Sequence, residues 1–587
     1  MHAQLDEASV VQAAQNIHLA FANYNSNFRR ISRRARDRFE QRDWLGGRRD
    51  LSERIELYEK SVMRSVGALR REHGAVIEGT DFWQAVQPLY WTRTDDIPDG
   101  EFAKTFFNSV RRGLLRELDQ DPTTVSDTAD VVSKESPTRY PTQPLHYICW
   151  NNFEAQLEKI FEDFKFNTAY ADRAADIEYI RAMAANRIGE QHLSDQSIRR
   201  IEMIHDVFFQ SMRAFLVGKL FWADQSCPFI VVFENAAEGV RVEAVLMTSD
   251  EVSVLFGYTR SYFFVDIDPV EGAVQFIKSM VPHKPIDEIY TVLGRARQGK
   301  TERYRSFTTH LHGCDDRFVI AEGDRGLVMF VFTLPSYDLV FKIIRDNFGY
   351  PKNVSHEEVK KKYRLVFQHD RAGRLIDTQE FRNIEFPKYK FSPDLLDEML
   401  ADLSHTVHVD GDQVVFDHIY TERRLIPLNL YLRNSPQAAA QAAIIDYGQA
   451  ITDLALTNIF PGDLLLKNFG VSRLGRVIFY DYDELTLVTD CNFRDVPQAR
   501  SLEDEMRAES WFHVDDDDIF PEEFHRFLPI EPALMDAFMQ HHGNLMTANW
   551  WRDIKSLHLG NAAPEVAPYY GLTAGRYDQK AGRIYQT

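Results

Sequence analysis

The fold is decided by the stretch FPGDLLLKNFGVSRLGRVIFYDYDE (residues 460–484). Asn468 follows Asp463 by five residues, and Asp481 follows Asn468 by thirteen, at the end of the apolar run VIFY. This spacing predicts a loop from Asp463 to Asn468 and then a short hairpin that returns Asp481 to the amide of Asn468. Carboxylate and amide oxygens arranged in this way suit proton transfer and the binding of divalent cations. Acidic turn residues around an ordinary hairpin are the alternative interpretation.

These offsets are those of the protein-kinase catalytic loop, H-R-D-x-x-x-x-N, followed by the metal-binding Asp of D-F-G. Asp463 would then lie near the acceptor hydroxyl, while Asn468 and Asp481 would hold a metal that bridges the phosphates of ATP. The stretch departs from the motif at two places. Pro461–Gly462 replaces His-Arg, and Tyr482–Asp483 replaces Phe-Gly. We therefore predict a divergent kinase, with Asp483 as a candidate second metal ligand.

Two upstream features add to this pattern. The first is a turn between apparent strands, in which Gly323 and Gly326 would let backbone N–H groups approach a phosphate closely. Its residues are Ala321, Glu322, Gly323, Asp324, Arg325, Gly326 and Leu327. The second is Lys342 in the apolar run LVFKII, where a buried ammonium needs an anionic partner. A plain hairpin and a lysine that reaches solvent are the alternatives for each feature alone, but together the two features indicate a kinase nucleotide lobe.

Composition excludes several other classes of protein. The chain has 587 residues, of which 44% are hydrophobic, too many for a disordered chain. Its 68 basic and 88 acidic residues give a formal charge of −20, so its overall field disfavours nucleic acid and anionic membranes. Four scattered cysteines without a CxxC pair exclude a disulfide scaffold and a cysteine-rich zinc module. We find neither a signal-peptide pattern nor an apolar run of about 18 residues, so we expect a cytoplasmic protein without nucleic-acid or membrane partners.

The pattern of apolar and polar residues changes along the chain. Residues 1–310 are predicted to form a mainly helical domain with a strand-containing part near 228–268, interrupted by a polar, proline-containing linker at 119–144. Residues 311–587 begin with strand-like runs and continue with helical ones. The predicted fold class is α+β, with a helix-rich N-terminal regulatory domain followed by a bilobal protein-kinase-like domain.

At this point the chain resembles a specific family, the bacterial bifunctional isocitrate dehydrogenase kinase/phosphatases. The resemblance extends over nearly the whole chain. It is strongest in FRRISRRARDRFEQRDW (28–44), RGLVMFVFTLPSYDLVFKII (325–344), YTERRLIPLN (420–429) and NIFPGDLLLKNFGV (458–471). It implies an enzyme that uses ATP and Mg²⁺ or Mn²⁺ to phosphorylate a serine of isocitrate dehydrogenase and inactivate it. The same enzyme removes the phosphate, with ADP as a further ligand.

The resemblance also implies regulation and site residues. Such an enzyme controls the branch between the tricarboxylic acid cycle and the glyoxylate bypass, with AMP as an allosteric effector bound between the domains and a possible homodimer. Residues 321–327 and Lys342 would bind ATP, Asp463 would position or deprotonate the serine, and Asn468 and Asp481 would hold metal. The adenine would be contacted by Glu422, Leu425 and Ile426 in the connection between the lobes.

The resemblance assigns dephosphorylation to Asp377, in the run RLIDTQEF (374–381). Its carboxylate would orient or activate a water against phosphoserine. Taken alone, Asp377 is better explained as the N-cap of a helix that begins at Thr378.

Two other functions stay open from the sequence. A small-molecule kinase of the aminoglycoside or choline type also has a G-D-x-x-x-x-N loop, but the N-terminal region of about 300 residues is too large for one. A pseudokinase scaffold is the non-enzymatic alternative. The presence of Lys342, Asp463, Asn468 and Asp481 argues against it.

Overall fold

The structure is a computed structural model that describes residues 6–117, 143–149, 152–189, 198–257, 263–349, 354–369, 372–497, 512–560 and 566. These residues fall into two compact units, with the boundary between Thr309 and His310. The linker predicted at 119–144 lies almost wholly outside the described residues. Within the described ranges, no helix is both long and apolar enough to cross a membrane.

The first unit begins with long helices whose apolar residues recur every three or four positions. They are α1 (Glu7–Glu40), α2 (Trp44–His73), α3 (Thr80–Thr94) and α4 (Gly100–Glu117). The carboxylate of Asp6 starts α1 by accepting a hydrogen bond from the Ala8 backbone N–H. Phe21 and Tyr24 of α1 are buried against Phe102 and Phe106 of α4, so the helices share one aromatic core.

A six-stranded antiparallel sheet and further helices complete this unit. The strands are β1 (Leu145–Ile148), β2 (Ile198–Met203), β3 (Phe208–Gln210), β4 (Arg213–Trp222), β5 (Gln225–Ala236) and β6 (Gly239–Leu246). The helices are α5 (Phe153–Asp163), α6 (Arg173–Ile188), α7 (Ser249–Leu255), α8 (Val270–Met280), α9 (Ile286–Val292) and α10 (Ala296–Gly313). The strand order is β1-β2-β4-β5-β6, with β3 paired to β4.

This sheet begins much earlier in the chain than the sequence predicted. Strands were expected near 228–268, whereas β1 to β4 all precede residue 223, and residues 249–255 form α7. In β4 only Lys219 and Phe221 are partly exposed. A strand buried on both faces lacks the alternation of apolar and polar residues by which a half-buried strand is recognised.

The second unit opens with another six-stranded antiparallel sheet, in the order β10-β12-β9-β8-β7, with β11 paired to β12. Its strands are β7 (Val319–Ile320), β8 (Met329–Thr333), β9 (Leu339–Ile344), β10 (Gln379–Pro387), β11 (Val407–Asp410) and β12 (Gln413–Arg423). Helices α11 (His356–His369) and α12 (Pro393–Asp402) are inserted between these strands. The core on one face consists of Phe318, Phe332, Phe341, Phe386, Phe391 and Phe416, whose rings contact one another.

The rest of this unit is richer in helix and contains only short strands. The helices are α13 (Leu428–Asn434), α14 (Gln437–Leu456), α15 (Pro532–His542) and α16 (Ala548–Leu559). The strands are β13 (Ile426–Pro427), β14 (Ile459–Phe460), β15 (Phe469–Val471), β16 (Val477–Phe479), β17 (Thr486–Leu487), β18 (Asn492–Phe493) and β19 (Asp518–Ile519). The chain thus combines a helix-rich first part with a sheet-containing second part, and the predicted α+β class is confirmed.

Candidate active site

The loop after α14 holds the first two predicted site residues together. Asp463 Oδ1 accepts a hydrogen bond from the Leu465 backbone N–H at 3.0 Å, which orients the carboxylate. Asn468 ends a turn of 3₁₀ helix, and its Nδ2 donates to the Asp463 carbonyl at 3.3 Å. Because its nitrogen is used in this way, the side chain of Asn468 presents its Oδ1 as the atom that can face a cation.

The residue before Asp463 explains one departure from the kinase motif. Gly462 has a φ of +81°, a conformation that L side chains rarely adopt. A Cβ added at Gly462 would also lie 2.4 Å from the carbonyl oxygen of Glu484. Glycine therefore stands where kinases have arginine because the loop after Asp481 passes directly over this backbone.

The hairpin of β15 and β16 returns Asp481 to Asn468, as the spacing predicted. Phe469 pairs with Phe479, and the Tyr480 backbone N–H donates to the Asn468 carbonyl at 3.1 Å. Asp481 is the next residue, and Asp483 follows in the same turn with its side chain buried. Oxygen donors from two carboxylates and one amide fit a hard cation such as Mg²⁺, which ordinarily completes its coordination with phosphate and water. The described residues contain no cluster of three or more His, Cys, Asp or Glu side chains that could hold a metal.

Lys342 lies on β9 with its ammonium turned toward this hairpin. Its Nζ contacts Glu422 Oε2 at 2.7 Å and donates to the Tyr480 carbonyl at 2.8 Å. The two side chains are only 6% and 1% exposed, so the charge of Lys342 is neutralised inside the protein, not by solvent. Strand register brings the pair together. Lys342 on β9 is directly opposite Tyr420 on β12, and Glu422, two residues after Tyr420, is opposite Val340. Lys342 and Glu422 are therefore diagonal neighbours on the same face of the two strands. The predicted contact of Glu422 with adenine stays a prediction.

The predicted nucleotide loop is an open turn between β7 and β8. The Ala321 backbone N–H donates to the Val331 carbonyl at 3.1 Å, and the residues from Glu322 to Leu327 are exposed. Gly323 has a φ of +121°, and a Cβ there would lie 3.4 Å from Pro427 Cγ. Arg325 forms an ion pair with Glu398, which holds the guanidinium of Arg325 at the edge of this turn. The turn therefore lies over β13, where Ile426 and Pro427 begin the helical part.

The predicted connection between the two parts lies beside the catalytic loop. Ile426 pairs with Val471 and Pro427 with Gly470, directly after Asn468 in the chain. A Cβ at Gly470 would lie 2.6 Å from Leu425 Cβ, so glycine is needed for Leu425 to pack there. The side chain of Ile426 is exposed, which leaves an apolar surface at the position predicted to contact adenine.

Asp377 lies on a separate segment that runs alongside the hairpin leading to Asp481. Leu375 forms a parallel bridge with Phe479, and the backbone N–H of Ile376 donates to the Phe479 carbonyl at 3.3 Å. Asp377 is therefore two residues beyond the bridge on one segment, and Asp481 is two residues beyond it on the other. The structure contradicts the N-cap interpretation, because the segment leads into β10 and not into a helix.

The carboxylate of Asp377 is buried and held by a neighbour. Gln379 Nε2 lies 2.8 Å from Asp377 Oδ2 and 3.2 Å from Oδ1, and both side chains are buried. An amide that donates to both oxygens fixes the plane of the carboxylate.

Sequence reasoning missed several residues that build this site. Tyr482 is fully buried, and its hydroxyl donates to the Ile376 carbonyl at 2.9 Å, tying the residue after Asp481 to the residue before Asp377. The sequence signal for this role was that Tyr482 stands where the D-F-G motif has Phe, which adds a hydroxyl group. The hydroxyl of Thr378 donates to Glu422 Oε1 at 2.8 Å. No local signal pointed to Thr378, because its partner lies 44 residues away in sequence.

Arg374 anchors this segment to α14 from behind. Its guanidinium bonds both oxygens of Asp446 at 2.7 and 2.9 Å and Asp453 Oδ2 at 2.7 Å. Burial lowers the pKa of Arg374, but the two carboxylates outweigh burial and hold that pKa above its ordinary value. Burial likewise raises the pKa of Asp446, and the contact with Arg374 reverses the effect, so that the pKa of Asp446 is lowered.

Fold and site together define a class of protein. An antiparallel sheet that holds a paired lysine, followed by a helical part that presents an aspartate, an asparagine and a second aspartate on a loop and hairpin, is the arrangement of a protein-kinase-like phosphotransferase. Residues 316–571 match the family model described as the isocitrate dehydrogenase kinase/phosphatase (AceK) kinase domain, and residues 14–315 match the regulatory domain of the same family.

Individual relatives agree with these matches. The chain is 40% identical over 564 residues to the isocitrate dehydrogenase kinase/phosphatase of Xanthomonas campestris pv. campestris strain 8004, covering 96% of this chain and 97% of that protein. It is 40% identical over 558 residues to the protein of the same name from Anaeromyxobacter sp. strain Fw109-5, covering 95% and 96%. This chain belongs to the isocitrate dehydrogenase kinase/phosphatase family, and the predicted family is confirmed.

Proposed function

We propose that this chain phosphorylates a serine of isocitrate dehydrogenase and also removes that phosphate, the two activities that the names of its relatives give for those proteins. The proposal depends on one observation. A parallel bridge between Leu375 and Phe479 brings Asp377 to the hairpin that presents Asp481, so a further carboxylate stands beside the kinase residues.

In the forward reaction the residues divide the work of an in-line transfer, which needs positioning and charge stabilisation more than covalent chemistry. The ammonium of Lys342 would hold the α- and β-phosphates of ATP, and the turn at 321–327 would cover them. The carboxylate of Asp463 would accept the hydrogen bond of the serine hydroxyl and take its proton as the serine oxygen bonds to the γ-phosphorus. The bond from that phosphorus to the β,γ-bridging oxygen breaks in the same step, and ADP leaves. Asn468, Asp481 and Asp483 would hold Mg²⁺ or Mn²⁺, which would neutralise charge on the β- and γ-phosphates.

In the reverse direction the substrate is the phosphoserine of isocitrate dehydrogenase. The carboxylate of Asp377, oriented by Gln379, would orient a water and accept a proton from it as that water attacks the phosphorus. The P–O bond to the serine breaks in the same step, and the serine oxygen takes up a proton as it leaves. Bound ADP would complete the same site. AMP would shift the balance between the two activities, and the balance would set carbon flow between the tricarboxylic acid cycle and the glyoxylate bypass. We further infer a cytoplasmic enzyme made of a regulatory domain at 1–310 and a catalytic domain at 311–587, with a homodimer as its possible assembly.

The test uses the full chain with isocitrate dehydrogenase, γ-labelled ATP and Mg²⁺, and then with phosphorylated isocitrate dehydrogenase, ADP and AMP. We expect Asp463→Asn to lower the phosphorylation rate by about 10²–10³-fold, the range for a group that stabilises the transition state. Asp377→Asn should impair dephosphorylation more than phosphorylation. Transfer of label to an aminoglycoside or choline instead of isocitrate dehydrogenase would overturn the proposal. Equal loss of both activities in Asp377→Asn would remove the assigned role of Asp377.

A further inference from the structure

One buried carboxylate touches both halves of the candidate site. Glu422 is 1% exposed, and its Oε2 pairs with Lys342 Nζ at 2.7 Å. Its other oxygen, Oε1, accepts the hydroxyl hydrogen of Thr378 at 2.8 Å. Thr378 is fully buried and directly follows Asp377 in the chain. Glu422 therefore joins the nucleotide-binding lysine to the segment that presents the dephosphorylation aspartate.

The partner of Lys342 comes from a strand and not from the helix after β9. Glu357 and Glu358, the acids in the first turn of α11, contact Lys360 and Ser355. Glu422 lies on β12, which is paired with β9 on one side and β10 on the other. A pair borne by neighbouring strands of one sheet is fixed by strand register and does not depend on the placement of α11.

The hydroxyl of Thr378 attaches a part of the chain that lies outside the strand pairing of the sheet. The ladder between β10 and β12 begins with Gln379 opposite Thr421, so Asp377 and Thr378 precede the first paired residues. Asp377 is held from one side by the bond between Ile376 and Phe479 and by Gln379. The bond from Thr378 to Glu422 supplies the attachment to the side that carries Lys342. A hydrogen bond to a charged, buried acceptor is among the stronger ones in proteins.

We propose that Thr378 is a positioning residue for dephosphorylation, and that through Glu422 it sets the distance between the Asp377 carboxylate and the phosphates bound by Lys342. This inference rests on the proposed function and adds to it a residue that touches neither substrate nor nucleotide. Removing the hydroxyl leaves Glu422 paired with Lys342, so nucleotide binding is retained while Asp377 loses one of its attachments. Replacing Glu422 instead removes the anionic partner of Lys342 and weakens nucleotide binding first.

The experiment compares Thr378→Val, Thr378→Ala and Thr378→Ser with Thr333→Val. Thr333 is the matched control, because it is a buried threonine of the same sheet whose hydroxyl donates to the backbone carbonyl of Leu339 at 2.7 Å. Initial rates are measured for both activities over a range of phosphorylated isocitrate dehydrogenase and of ATP, and thermal unfolding is recorded for every variant. The alanine variant is smaller than threonine and so separates loss of the hydroxyl from any crowding by valine.

We expect Thr378→Val and Thr378→Ala to lower the kcat of dephosphorylation about ten- to a hundredfold, as for loss of a hydrogen bond to a charged group. The KM for the phosphorylated protein should stay near its wild-type value, and phosphorylation should lose less than dephosphorylation. Thr378→Ser keeps the hydroxyl and should recover most of the rate. Glu422→Gln should show the opposite pattern, with a raised KM for ATP and a larger loss of phosphorylation.

Three results would overturn the positioning role. They are a dephosphorylation rate in Thr378→Val and Thr378→Ala equal to that of Thr333→Val, equal losses in both activities, or a serine variant as slow as the valine variant. Each of these presupposes a wild-type protein that dephosphorylates isocitrate dehydrogenase. A wild-type protein without that activity would instead refute the proposed function, and the role of Thr378 with it.

Discussion

The sharpest test of the site geometry is the substitution Gly462→Ala, compared with Gly475→Ala. Both glycines have positive φ, +81° and +75°, so alanine meets the same backbone penalty at each, about 1–2 kcal/mol. Only the surroundings differ. A Cβ at Gly475 has nothing within 4 Å, whereas a Cβ at Gly462 lies 2.4 Å from the Glu484 carbonyl oxygen and 2.8 Å from Glu484 Cβ.

The size of the effect at Gly462 follows from these distances. Ordinary contacts begin at 3.4 Å, so the loop after Asp481 and the loop before Asp463 must separate by about 1 Å. A misplacement of about 1 Å between reacting groups can lower a rate about 10²-fold. We therefore expect Gly462→Ala to lose about 10²-fold in phosphorylation, and Gly475→Ala to lose little activity.

Thermal unfolding and initial rates of label transfer to isocitrate dehydrogenase are measured on both variants. The shared backbone penalty should lower the Tm of each by roughly 2–8 °C, on a scale of about 2–4 °C per kcal/mol for a domain of this size. The difference in rate, not in Tm, isolates the contact with Glu484. If Gly462→Ala kept wild-type phosphorylation with full label transfer, or if the two variants lost activity equally, the reasoning from loop contact to catalysis would be wrong.

Two further predictions concern stability. Arg374→Met leaves the buried carboxylate of Asp453 without the guanidinium that pairs with it and should cost about 3–5 kcal/mol in denaturant unfolding. Replacing the exposed Arg364 with Met should cost under about 1 kcal/mol, and equal costs for the two variants would contradict an anchoring role for Arg374. Burial lowers the pKa of His542 to about 4, below its value of 6.5 in the unfolded chain. The contribution of neutral His542 to the free energy of unfolding is therefore complete above about pH 6.5 and is lost as the pH falls toward 4. His542→Phe should therefore abolish a loss of about 2 kcal/mol in unfolding free energy between about pH 7.5 and 5, and an unchanged pH slope would refute this.

The parts of the site that are close in sequence could be predicted from it. Asp463, Asn468 and Asp481 lie within one loop and one hairpin, so their spacing predicts that the chain returns beside itself here. The bonds from Asn468 to the Asp463 carbonyl and from Tyr480 to the Asn468 carbonyl show this return. The pairing of Lys342 with Glu422 depends on the register of β9 with β12 across 80 residues, and no local pattern encodes that register.

The same limit explains the other omissions. Arg374 finds Asp446 and Asp453 more than 70 residues further along the chain, where any acid on α14 would look like an ordinary helix surface residue. In the first unit β4 is buried on both faces and therefore gives no alternating signal. Sequence patterns thus indicate which residues are placed by neighbours in the chain, and the structure is needed for those placed by packing across it.

The tether from Tyr482 to Ile376 bears on the design of inhibitors. In protein kinases the packing of the aromatic residue after the Asp of D-F-G distinguishes active from inactive states, so a ligand could act by moving the ring at position 482 out of the core. Here that ring is fully buried, and its hydroxyl is bonded to backbone that adjoins Asp377. Swinging it out would forfeit one hydrogen bond and the burial of a large ring, a penalty of roughly 3 kcal/mol and thus about a hundredfold in affinity. Compounds that leave Tyr482 in place therefore avoid this penalty, and we expect the site to favour them by about a hundredfold.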